Sequence, residues 1–234
     1  MTTTTPRITT FWDAVPERAR KALREAATTA MIKPGTFLTR EHTRGAQVYV
    51  LLQGAVKVWV DHAGEIAILD VLGPGDVVGE LEAVDGGVRH ANVEALTSVE
   101  ALVVPAARFR AVLDAHPGAA WAVAAVLAER LRDANELRVA HFPDDAERRL
   151  ASRLLRLTAR FGRPEPGGGY EISVPVHQQD LGRWAGMGRR KVAQILAGER
   201  VRGGLGVARN VITVRSLDAL RRLSGDPDLG PGDG

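Results

Sequence analysis

The sequence predicts an α+β chain with three parts in order: an antiparallel β-roll, one long dimerisation helix, and a winged helix-turn-helix. Three observations carry this. Between about residues 36 and 105 apolar residues recur at every second position, in short runs separated by Gly-rich turns. From about 119 to 142 they recur at three-four spacing. At 178–196 a compact helical pair punctuated by Gly follows, and a second alternating stretch succeeds it.

Composition bounds the function. The 234 residues are 45% hydrophobic and 25% charged, ordinary for a globular protein. There is no Cys, which excludes disulfides, zinc-thiolate sites, iron–sulfur clusters and thiol redox switching. The longest uncharged run, Ala115–Ala128, is 14 residues, too short to span a bilayer. Met1–Thr10 is Thr-rich and lacks an apolar core, so no signal peptide and no membrane partner are expected, and a cytoplasmic location is. The net charge of +3 is unevenly spread. Residues 1–143 carry 15 Lys/Arg and 17 Asp/Glu, whereas residues 144–224 carry 16 and 8. That asymmetry suits a nucleic-acid-binding module joined to a neutral one, or a solvated face of Arg on helices.

The elements follow in order. Residues 11–30 read as one amphipathic helix opened by Pro16, with Val15, Ala19, Leu23 and Ala26 at helical spacing. Pro34-Gly35 ends it. Val56, Val58 and Val60 alternate with Lys57, Trp59 and Asp61; Ile66 and Ile68 resume beyond a turn at 61–64. Ala91, Val93 and Ala95 alternate again. Such strands, turning about every ten residues, suggest a small roll or barrel. Ala106–Asp114 is a short helix. A long one spans about Ala119–Phe142, with Ala120, Ala124, Leu127, Leu131, Ala134, Arg138 and His141 along one seam. This seam is coiled-coil-like, apolar at its start and polar at its end. Like charges at Arg138 and His141 would leave the lower seam weakly paired until an effector or DNA closes it. The next helix starts after Pro143-Asp144-Asp145, buries Ala146, Leu150, Leu154 and Leu157, and is capped by Gly162. Arg163–Gly169 reads as a loop and Tyr170–Val176 as a strand. Two short helices and a hairpin complete residues 177–223. Residues 224–234 read as a disordered Gly/Asp/Pro tail.

The segment 179–196 carries the chemistry. A helix-turn-helix needs a small residue where its helices cross, a Gly at the turn, and branched residues buried in the second helix. Gly182, Gly186, Val192 and Ile195 stand at those offsets. The second helix opens with Arg189, Arg190 and Lys191, and Gln194 shares their face. Recognition helices enter the major groove N-terminus first, where Arg and Gln bond base edges. Gln178 and Gln179 open the first helix. Arg209, at the bend of the alternating stretch 205–214, is placed as a wing contact to phosphate.

With these parts in place, the chain resembles the CRP/FNR family of bacterial transcription regulators over roughly residues 28–215. The order of roll, long helix, hinge and winged helix is the same. The resemblance identifies the roll as cyclic-nucleotide-binding-like, through Gly54, Gly64 and the run Gly75-Asp76-Val77-Val78-Gly79-Glu80-Leu81, with Arg89 before Ala91-Asn92-Val93. It implies a phosphate-binding cassette in which Gly79, Glu80, Leu81, Arg89 and His90 face an effector. Glu80 would hold a ribose hydroxyl and Arg89 the cyclic phosphate, through a charge-assisted fork beside an anion nest. Arg130 and Asn135 on the long helix sit where the family places residues that reach the ligand. The resemblance further implies a homodimer, a palindromic duplex DNA operator, RNA polymerase as a further partner, and a cyclic nucleotide as candidate effector; no metal or other cofactor is implied.

The cassette also departs from the family pattern. Glu82 stands where a small or apolar residue is usual, and would disfavour a bound phosphate or pair with Arg89. His90 replaces a hydroxyl residue, the loop is one residue short, and Ala134 lacks a hydroxyl often used to bond the base. A cyclic mononucleotide therefore stands beside a different effector, or none. In the recognition helix Arg190 replaces an acid and Gln194 a frequent base, which predicts an operator unlike that of the cyclic-AMP-responsive members. The six histidines, His42, His62, His90, His116, His141 and His177, are scattered singly, without the His-x-His that a cupin metal site wants. No P-loop, no dinucleotide-binding glycine motif after a strand, and no serine-hydrolase or zinc-protease motif occurs, so no enzyme is expected. The alternative is a cupin-like small-molecule enzyme or binding protein with a C-terminal interaction domain. The expected domains are a roll at 11–117, the dimerisation helix and hinge at 118–143 and a winged helix at 144–223.

Overall fold

The computed structural model describes residues 9–139, 146–201, 203–208 and 211–225. They fall into two compact units, one spanning Thr9–Ala134 and the other beginning at Asn135.

The first unit is a roll of two four-stranded antiparallel sheets. Its strands are β1 (Thr28–Ile32), β2 (Phe37–Thr39), β3 (Gln47–Gln53), β4 (Val56–His62), β5 (Glu65–Leu72), β6 (Val77–Val78), β7 (Asn92–Ala95) and β8 (Val99–Pro105). One sheet runs β1-β8-β3-β6 and the other β2-β7-β4-β5. Alternation sends Leu51, Val56, Leu72, Val93 and Ala101 into the core between the sheets. Val48, Val50, Leu102 and Val104 point the other way, onto a second core built by flanking helices.

Those helices correct the sequence reading at its start. Residues 11–30 are not one helix. Phe11–Ala14 forms α1 and Glu17–Ala26 forms α2. Between them Val15 is extended (φ −72°, ψ 128°), because the residue before a proline is pushed out of the helical region. Thr10 and Asp13 close a capping box on α1. Thr28–Ile32, assigned in part to that helix, is strand β1, paired along its length with β8. Its β-branched Thr28, Thr29 and Ile32 suit a strand, and the open edge of β8 supplies the partner. Phe11, Val15, Ala19 and Leu23 join Phe109 of α4 (Ala106–Ala115) and Ala119, Ala122 and Val123 of α5 (Pro117–Val139) in the second core. The long helix α5 spans Pro117–Val139, starting two residues earlier than expected because Pro is well suited to a first helical turn. A short helix, α3 (Glu80–Asp85), bridges β6 to the segment before β7.

In the second unit α6 (Ala146–Phe161) buries Leu150, Leu154 and Leu157 as its stripe predicts. Gly162 does not cap it. It begins β9 (Gly162–Pro164), which pairs with β10 (Tyr170–Ile172), so part of the expected loop is strand and the expected strand is shorter. A Cβ at Gly162 would lie 2.3 Å from the Thr158 carbonyl oxygen, so the close approach explains the residue. Then come α7 (Gln178–Ala185), α8 (Arg189–Val201) and the hairpin β11 (Leu205–Ala208) with β12 (Val211–Val214). A helix the sequence reading lacked, α9 (Leu217–Ser224), packs Leu217 and Leu220 inward. Its signals were present: Ser216 caps the Ala219 N–H, and the leucines stand three apart. Ser224 therefore belongs to a helix rather than to the tail.

Candidate functional site

Two sites emerge, one in each unit. The first is a cavity of about 70 Å³ in the roll, walled by strand residues such as Val58 and Val93, by the start of α3 and by Arg130 of α5. Gly79, Glu80, Leu81, Arg89, His90 and Arg130 all line it. Asn135 does not; it is solvent-exposed on α5.

The fold brings these residues together through glycine. Gly79 caps α3 in the left-handed conformation (φ +80°), and a Cβ there would meet Arg89 Nη1 at 2.2 Å. A Cβ at Gly45 would meet the same guanidinium at 2.1 Å. Two Cβ-less positions thus open the slot that the Arg89 side chain fills. Arg89 is 4% exposed. It donates from Nη1 to Glu82 Oε2 at 2.5 Å and from Nη2 to the Gln47 carbonyl at 2.5 Å. The other carboxylate oxygen, Glu82 Oε1, accepts from the His90 backbone N–H at 3.2 Å. Glu80 is buried and accepts from Arg130, which also donates to the Val77 carbonyl at 2.8 Å. Both acids and both cations are therefore engaged inside the chain. The His90 ring is largely exposed, 3.9 Å from Asp85. Nearby, Tyr49 donates to Gln47 Oε1 at 2.9 Å; burial pushes its phenol pKa up, against the opposing pull of the Arg89 charge.

The second site is the helix pair α7–α8. Gly186 ends α7 in the left-handed conformation, and a Cβ at Gly182 would stand 2.5 Å from the Met187 carbonyl oxygen. The crossing therefore requires Gly182 as the sequence implies. Leu181, Trp184, Val192, Ile195 and Leu196 are buried beneath it. Arg189, Arg190, Lys191 and Gln194 are all exposed, and Gln179 is exposed beside half-buried Gln178. No carboxylate stands in the first turn of α8, so its positive end carries three added cations, an arrangement that favours an anionic partner.

Not all the basic excess points outward. Arg149 Nε donates to the Ala185 carbonyl at 2.8 Å and Arg148 Nε to the Ser224 carbonyl at 2.7 Å, tying α6 to the ends of α7 and α9. Arg153 and Arg156 are buried, and Arg153 lies 5.2 Å from the Trp184 ring. Arg153 and Arg156 are therefore part of the interior rather than of a charged surface, while Arg148 stays exposed. Arg209 and His141 lie outside the described residues, as does the hinge region 141–145, and Arg138 lies outside those whose side chains are described. Of the seam, Leu127 is half-buried against the roll, while Leu131 and Ala134 are exposed. Trp121, on the same helix, is 75% exposed.

Comparison with known proteins agrees with this pairing of a ligand-type roll and a DNA-type helix pair. Residues 30–116 match the cyclic nucleotide-binding domain, and residues 148–223 match the Crp-like helix-turn-helix domain. The chain is 28% identical over 204 residues to the CRP-like cAMP-activated global transcriptional regulator of Mycobacterium tuberculosis, covering 84% of this chain and 90% of that one. It is 28% identical over 182 residues to the cyclic AMP receptor protein of Thermus thermophilus, covering 77% and 80%. The structure of FixK2 from Bradyrhizobium japonicum shares the fold, with a TM-score of 0.73 at 24% identity, over 84% of this chain and 96% of that one.

The class is thus a two-domain transcription regulator that joins a cyclic-nucleotide-binding-type roll to a helix-turn-helix. More particularly, the chain belongs to the CRP/FNR family.

Proposed function

We propose that the protein is a homodimeric, sequence-specific DNA-binding regulator that reads duplex DNA with the first turns of α8 and carries an effector domain in its roll. The observation that carries this is the exposure of Arg189, Arg190, Lys191 and Gln194 on a helix whose opposite face, Val192, Ile195 and Leu196, is buried. Arg at such a position donates to guanine O6 and N7, and Gln pairs with adenine. Gln178, Gln179 and Arg209 are assigned to phosphate. Leu127, Leu131, Ala134, Arg138 and His141 are assigned to the seam between copies; exposed Leu131 is what a pairing face would leave open in one subunit.

The relatives named above are cAMP-activated or cyclic AMP receptors. That name makes a cyclic nucleotide the first effector to test on this chain, at Gly79, Glu80, Leu81, Arg89, His90, Arg130 and Asn135; the Glu82–Arg89 pair decides whether its phosphate is admitted. RNA polymerase is a further proposed partner, and the proposed setting is the cytoplasm. No reaction is assigned to the chain. Among the described residues no single helix is long and apolar enough to cross a membrane.

Selection from a random duplex library, followed by sedimentation of the complex, tests the reading. The expected product is a palindrome with half-sites one helical turn apart, bound by two chains. A chain that stays monomeric at micromolar concentration, or recovers no preferred sequence, overturns it.

A further inference from the structure

The donors that an anionic ligand would use in the roll are already satisfied by the protein. Three observations meet at Glu82. It lies in the first turn of α3, and its side chain and that of Arg89 are 5% and 4% exposed. Its two carboxylate oxygens take one guanidinium N–H of Arg89 and the backbone N–H of His90, at 2.5 and 3.2 Å. The guanidinium is held in place by the Gln47 carbonyl and by the space left at Gly45 and Gly79. A buried guanidinium and a main-chain N–H converging on one point form an anion seat, and a carboxylate offers it the same paired oxygens as a phosphodiester.

The charges in the cavity wall agree. Glu80, Glu82, Arg89 and Arg130 form two internal pairs, two acids against two cations. An incoming phosphate monoanion would find both arginines among the described lining residues already paired, and would have to expel Glu82 from Arg89.

We infer that Glu82 is a built-in anion: its carboxylate occupies the seat on Arg89 and the His90 amide, and makes the roll reject phosphate-bearing effectors. Glu82 is thus the residue that sets ligand specificity here. It ties α3 to residues 89 and 90. The inference rests on the reading of the roll as an effector domain.

Calorimetry with cyclic AMP and cyclic GMP on the full-length chain tests it. Wild type should show no binding up to 1 mM nucleotide, a ceiling on the order of −4 kcal/mol. Glu82→Ser, which removes the carboxylate and leaves the seat, should bind at least one of the two with at least about tenfold higher affinity, and Glu82→Ser/Arg89→Ala should lose that gain. Glu82→Gln removes the charge while keeping an acceptor, so its gain should be smaller; if the Ser variant does not unfold cooperatively, the Gln variant decides. Wild type that binds either nucleotide within threefold of the Ser variant overturns the inference. So does a folded variant with no gain. A gel shift of nucleotide-free wild type on the selected operator separates this from the regulator reading. Failure to shift counts against DNA recognition, whereas the calorimetry alone judges Glu82.

Discussion

The roll cavity and the recognition helix are built from the same charged residue types, used in opposite ways. In the cavity Arg89 and Arg130 are matched by Glu82 and Glu80 within the chain. On α8 Arg189, Arg190 and Lys191 are exposed, and among the described residues no carboxylate pairs with them. The difference follows from solvent. A desolvated charge has to be paired where it stands, or the fold loses several kcal/mol. A hydrated Arg on an exposed helix costs little until a phosphate or a base edge arrives, when condensed counterions are released. The roll has spent its cations on itself, and the helix-turn-helix has kept its own for a partner.

That contrast can be broken most forcefully at the buried pair. Arg89→Ala leaves Glu82 buried without its guanidinium and should cost about 3–5 kcal/mol of roll stability, read by urea unfolding. Replacing the two together, Arg89→Met with Glu82→Leu, should recover most of it. A single-variant loss below about 1 kcal/mol would mean that water reaches the pair. On the other side of the comparison, Arg190→Ala should weaken binding to the selected operator by about 1–3 kcal/mol while leaving random duplex nearly unaffected. Equal loss on both DNAs would reassign Arg190 to phosphate. Leu131→Asp puts a charge on the exposed seam of α5 and should raise the dimer dissociation constant at least about tenfold, roughly 1.4 kcal/mol, in sedimentation equilibrium. An unchanged constant removes Leu131 from the seam. The smallest expected effect is at Lys191. Lys191→Ala should reduce the slope of log affinity against log salt by about one, with a uniform few-fold loss across sequences. Arg153 and Arg156 of α6 should add little to that slope, because they are buried.

Much of this was legible in the residues. Two-residue alternation located β4, β5 and β7 of the roll, since a half-buried strand has to show it. Gly182, Gly186 and the buried Val192 and Ile195 located the helix pair, because the crossing tolerates so few side chains. Thr28–Ile32 was misread because a short edge strand has no periodicity of its own beyond its β-branched residues; β8 decides it. The pair Glu82–Arg89 was legible as one of two consequences of an acid beside a cassette. Glu80–Arg130 was not, for its partners are fifty residues apart and meet only when α5 packs on the roll.

The sequence by itself determined the order and type of the modules and the run of cations that opens α8, because periodicity, turn chemistry and local charge are written within a few turns of chain. Only the tertiary structure decided which charges are available. Pairing a buried ion depends on what long-range packing brings within about 3 Å of it, and here that packing gave Arg89 to Glu82 and Arg130 to Glu80, and buried Arg153 and Arg156 of α6.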